Sequence, residues 1–140
     1  MAKKSNKITF DEFVAKAQAK KSNKKLVADI YVDEEFGNVT FNRPTNNQIL
    51  EYINGISNAV TVDKDGNAVG QDFVKMFEAS REIVYATCPF LQKKELHEAL
   101  EIVDPFDSVE EVFGIQNTIE IAEKLINEFD GANVKDEVKN

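Results

Sequence analysis

Residues 83–113 read IVYATCPFLQKKELHEALEIVDPFDSVEEVF. Pro89 and Pro105 each stop a helix, because proline lacks the amide hydrogen that a helix interior needs. Short stretches with one apolar face flank these stops. Ile83 and Val84 precede the first, Leu96, Ala99, Leu100 and Val103 lie between, and Val109, Val112 and Phe113 follow the second. The spacing predicts a compact helical body built from short pieces. It offers surfaces to a partner and no arrangement of groups that would do chemistry.

Working outward, residues 71–87 form the longest amphipathic segment, with Phe73, Met76, Phe77, Ile83 and Val84 on one side. Ser80 falls on the same stripe, where a small residue lets a neighbouring helix approach closely. After Gly114 a last helix places Ile115, Ile119, Ala122, Leu125, Ile126 and Phe129 inward, with Gly131 as its C-terminal cap. Upstream, Thr45 and Gln48 form a capping box that opens a helix carrying Ile49, Leu50, Ile53 and Ile56. Thr9 and Glu12 form another, with Ile8 and Phe13 at the staple positions and Phe10, Phe13, Val14 and Ala17 on one face.

Between these two helices the pattern changes period. Leu26, Ala28, Ile30 and Val32 alternate with Val27, Asp29 and Tyr31. Asp33 to Asn38 reads as a turn, and Val39 to Phe41 as a second strand ended by Pro44. A lone hairpin is marginally stable, so its apolar face must lie on helices. The segment 57–70 is turn-rich and reads as a small hairpin or a loop. The fold class is therefore mainly α (α+β): five or six helices with one N-terminal antiparallel hairpin, in a single domain over 1–140 with frayed tails at 1–7 and 132–140.

Composition agrees with that class. The chain has 140 residues, 42% of them hydrophobic, with ten Phe and no Trp. A chain this size buries roughly two thirds of its unfolded surface. The single cysteine, Cys88, rules out an internal disulfide and suits a reducing compartment. No apolar run approaches the roughly 18 residues of a membrane span, and no signal-peptide core is expected. Residues 1–25 carry eight Lys against Asp11 and Glu12, a balance of +6, and the remainder carries −14, which together give the net −8. An acidic body disfavours nucleic acid, whose phosphates supply most of the affinity for proteins. The basic start reads as a solvated leader.

The candidate chemical groups are few. Asp63, Asp65 and Asn67 resemble the first ligands of a calcium loop, but Ala68 replaces the required glycine and Val74 the closing carboxylate. Cys88 and His97 lack a third group to orient them, and a helix C-terminus disfavours a thiolate at Cys88. One His and one Cys leave no ordinary zinc site. Asp104, Asp107, Glu110 and Glu111 read as helix-start capping rather than as an acid–base pair. No catalytic residue, cofactor or metal is expected.

The order of parts resembles the phage tail assembly chaperone family, its XkdN-like branch. The similarity lies in FVAK at Phe13–Lys16 and in the hairpin from Ile30 to Pro44. It continues in IVYATCPFL at Ile83–Leu91, in DPFDSVEEVF at Asp104–Phe113, and in the final Asp130-Gly131. The resemblance implies a non-enzymatic chaperone of a phage or prophage. Such a chaperone binds and solubilises the tape measure protein in the bacterial cytoplasm and is absent from the finished virion. The tail tube protein and a second copy of the chain are further candidate partners; nucleic acid and membrane are not. The other readings are a structural tail completion or connector protein that stays in the particle and a small enzyme with an unrecognised site. A helix-binding groove beside the proline breaks would draw on Phe90, Leu91, Phe106, Val109 and Phe113, with ordinary packing between helices as the competing role.

Overall fold

A computed structural model describes residues 7–131, with six α-helices and two antiparallel hairpins. In chain order these are α1 (Phe10–Ser22), β1 (Val27–Asp33), β2 (Gly37–Asn42), α2 (Asn46–Asn58), β3 (Val60–Val62) and β4 (Ala68–Gln71). Then come α3 (Phe73–Thr87), a 3-10 turn (Pro89–Gln92), α4 (Lys94–Ala99), α5 (Asp107–Phe113) and α6 (Ile115–Ile126). A π-helical turn, Asn127–Gly131, continues α6 where Gly131 was expected as a cap. The expected frayed tails lie outside the described residues, apart from exposed Lys7. No described helix is long and apolar enough to cross a membrane.

The mainly helical class and the N-terminal hairpin hold. Ile30 pairs with Val39 and Ala28 with Phe41, so the alternation puts Ile30, Val32, Val39 and Phe41 on one buried face. That face lies on α6 and on the 3-10 turn. Polar bonds fix the seat: the Lys124 ammonium donates to the Tyr31 carbonyl at 2.9 Å, and the Asn117 amide to Asp33 at 3.2 Å. Leu26 precedes β1 and is exposed, against expectation. The turn-rich middle forms the small β3–β4 hairpin.

Helix α3 is the axis of the helical layer, with α2 on one side and α6 on the other. The core runs through Ile83, Val84, Leu91, Val109, Phe113, Ile121 and Leu125. Small polar residues sit inside it without penalty, because each hydroxyl is spent locally. Ser80 donates to the Met76 carbonyl, Thr87 to Ile83, Ser108 to Pro105 and Thr118 to Gly114, at 2.6–2.8 Å. Ser80 is fully buried, and the residue before it marks a close approach of α2. A Cβ on Gly55 of α2 would stand 2.7 Å from the Ala79 Cβ of α3.

Both capping boxes form. The hydroxyls of Thr9 and Thr45 accept from the amides of Glu12 and Gln48, whose side chains accept from the threonine amides in return. Several faces differ from expectation. Helix α2 turns Ile49 and Tyr52 inward and leaves Leu50 and Ile53 exposed, because α3 is its one large neighbour and covers a narrow stripe. Phe73 and Ile115, the first residues of their helices, are exposed. Helix α1 has no buried residue, so Phe10 and Phe13 face solvent.

Helix α4 stops early. The amide of Ile102 donates to the His97 carbonyl at 2.9 Å, and that of Glu101 to Glu98 at 3.2 Å. This is the Schellman closure, with Glu101 at φ 55° where glycine is usual. The early stop turns Ala99, Leu100 and Val103 outward, Val103 to 98% exposure, where the sequence pattern put them inside. Helix α5 also starts differently. Phe106 holds the cap position without a side-chain bond, and Asp104 accepts from the Phe106 amide at 3.0 Å. Asp107 is thus no cap, and Glu110 lies 3.5 Å from Arg81 instead.

Candidate functional site

The hairpin turn, the 3-10 turn, α4 and α5 converge on one cleft. Asp33 accepts from the Phe36 amide at 2.8 Å and closes the hairpin turn, which holds the Phe36 ring at the surface. That ring meets Phe113 edge-on, with centroids 5.9 Å apart, and Phe113 lies 6.5 Å from Phe41.

Pro89 opens the 3-10 turn, where its missing amide hydrogen is not needed. The Gln92 amide donates to the Tyr85 and Ala86 carbonyls at 2.8 and 3.0 Å, which ties the turn to the end of α3. His97 Nε2 lies 2.6 Å from the Leu91 carbonyl and donates to it, so the imidazole fastens α4 to the same turn. These ties decide which side chain of the turn enters the core. Leu91 is 1% exposed, while its neighbour Phe90 is 61% exposed.

The resulting cleft holds about 440 Å³. Val39, Cys88, Leu91 and Phe113 form its floor; Phe36, Phe90 and Leu100 stand at its rim. Leu96 and Val112 line the walls, and Lys93 and Glu111 are the charged side chains among its lining. Glu34 and Glu35 precede Phe36 in the exposed turn and add negative charge beside it.

The five residues expected at a partner groove therefore separate. Phe90 is at the rim, and Leu91 and Phe113 belong to the floor. Val109 is wholly buried and reaches no surface. It points into the core because α5 packs against both α3 and α6. Phe106 lines a different cleft of about 700 Å³ with Gln48, Glu51, Tyr52 and Glu82, its ring 4.7 Å from Tyr85. Phe36 was missed, since it reads as one more turn residue. Its signal was an aromatic side chain beside Gly37 in an otherwise acidic turn.

Burial pushes the Cys88 thiol up, against a smaller downward pull from the Leu91 and Phe90 amides. Burial likewise pushes up Tyr52, with Glu123 adding to it and a bond to Ser80 opposing. Elsewhere, Asp63 accepts from the Asp65 and Asn67 amides, both at 2.9 Å, so its carboxylate closes the β3–β4 turn. Among the described residues no three His, Cys, Asp or Glu side chains converge as a metal site. No family of known proteins, no curated protein and no solved structure matches the chain.

Proposed function

We propose that the protein is a non-enzymatic tail assembly chaperone, which binds an amphipathic helix of a phage tape measure protein in the bacterial cytoplasm before the tail tube forms. The observation that carries the reading is the cleft beside the Pro89 break. Its lining is almost entirely apolar, and its rim presents Phe90, Phe36 and Leu100 to solvent. A groove of that kind takes the apolar stripe of a helix, read as anchors three or four residues apart. The order of the motifs at Phe13–Lys16, Ile30–Pro44, Ile83–Leu91 and Asp104–Phe113 supplies the partner class. The acidic body keeps such a chaperone soluble while it carries exposed apolar surface.

Co-expression with the tape measure protein of the same tail gene cluster tests the reading. Wild type is expected to co-purify with that protein and raise its soluble yield. Phe90→Asp combined with Leu100→Asp removes the effect while the circular dichroism stays native, since both side chains are already exposed. A wild-type chain that neither binds nor solubilises the partner overturns the reading. Mass spectrometry of purified particles separates it from a structural role, because a connector or completion protein stays in the virion.

A further inference from the structure

We infer that α1 of one molecule docks into the apolar cleft of a second copy of this chain. Helix α1 is strongly specified by its own sequence. It has a complete capping box at Thr9, two acids in its first turn and two lysines in its last. Yet it buries none of its residues, and Phe10 and Phe13 are 76% and 58% exposed. A lone helix of this length is marginal in water, and two uncovered phenylalanines on one face mark a surface that takes a partner.

The cleft at Phe36 and Phe90 is its apolar counterpart. It is an apolar surface with no covering element among the described residues. The charges match as well. Residues 1–25 sum to +6 and the rest of the chain to −14. On α1 the aromatic end, which carries Asp11 and Glu12, is followed by Lys16, Lys20 and Lys21; at the cleft Lys93 and Glu111 are in the lining, and Glu34 and Glu35 precede Phe36 in the turn. With the phenylalanines set into the floor, the lysines of α1 are left to pair with Glu34, Glu35 and Glu111, and Asp11 and Glu12 with Lys93.

The root of α1 favours a second molecule over its own. Arg43 donates to the Lys25 carbonyl at 3.0 Å, and the Lys25 ammonium pairs with Glu128. These bonds pin the chain just before Val27, which pairs with Asn42 at the open end of the hairpin. Phe36 is at the opposite end, about 20 Å away along a strand of this length. Helix α1 reaches its own cleft only by lying back along all of β1, whereas it buries no residue in its own molecule.

The contact occupies the same cleft as the proposed tape measure helix and would compete with it, but it is measured without any tail protein. Sedimentation of the full chain is expected to give a mass above the 15.8 kDa of one molecule. Phe10→Asp with Phe13→Asp, and separately Phe90→Asp with Leu100→Asp, each lower the association constant at least about tenfold. All four side chains are exposed, so both variants keep native circular dichroism. Mixed together, the two variants form a one-to-one complex, because the first supplies an intact cleft and the second an intact helix. Raising salt to about 1 M shortens the screening length to about 3 Å and weakens the association. A wild type that is monomeric at about 100 μM (a free-energy scale of roughly 5 kcal/mol) overturns the inference, and so does docking of α1 within one molecule. Association that survives the α1 substitutions, or two variants that fail to complement, overturns it as well.

Discussion

Replacing Gly55 with alanine tests how closely α2 and α3 pack. In a helix interior, alanine is favoured over glycine by about 1 kcal/mol, so propensity alone predicts a more stable protein. The structure predicts the opposite. The new Cβ would stand 2.7 Å from the Ala79 Cβ, and neither atom can rotate away. Ordinary contact begins at 3.4 Å, so the helices must separate by the difference, 0.7 Å. Overpacking of this kind costs about 1–3 kcal/mol. The net for Gly55→Ala is a loss of about 1 kcal/mol, or about 3 °C in Tm for a chain of this size. Ala79→Gly alone loses about 2 kcal/mol, from lower helix propensity and one less buried methyl. The double variant moves the methyl from α3 to α2, relieves the clash and balances the propensities. It should return close to wild type, a coupling of about 3 kcal/mol in a double-mutant cycle. Urea unfolding of the four proteins measures this. Gly55→Ala more stable than wild type by about 1 kcal/mol, or a double variant equal to the sum of the singles, would refute the close-packing argument.

Other substitutions probe the cleft and its supports. Glu101→Gly should raise stability by about 1 kcal/mol in urea unfolding, because it relieves a non-glycine residue of its left-handed conformation at the end of α4. Leu91→Ala should lose about 2–5 kcal/mol, whereas Phe90→Ala beside it should change stability by less than about 0.5 kcal/mol, since only Leu91 enters the core. Cys88 and Tyr52 both have raised pKa values in the folded chain. Their contribution is therefore complete below the unfolded pKa and is lost as pH rises through the folded one. Stability should fall above about pH 8.5, and Cys88→Ala should remove the first part of that fall in urea midpoints measured against pH.

The sequence by itself determined what is settled within a few residues along the chain. The boxes at Thr9 and Thr45 are closed by side chains three positions away. The stop at Pro89 follows from a missing amide hydrogen, and the alternation from Ile30 to Phe41 from the pleat. The hairpin and most helices were legible for that reason. Burial was not, because it depends on what lies across from a residue in space. Leu50 and Ile53 match a helical stripe but have no second neighbour to cover them. Leu100 and Val103 were lost from the core by a closure at Glu101 that carries no glycine to announce it. Phe90 and Leu91 are adjacent and equally apolar, and only the tertiary ties of the 3-10 turn to α3, α4 and β2 decide which is rim and which is floor. Helix α1 shows the same division most plainly. Its start, end and apolar residues are written locally, but that none of them is buried depends on what the rest of the fold places beside it, where local pattern carries no information.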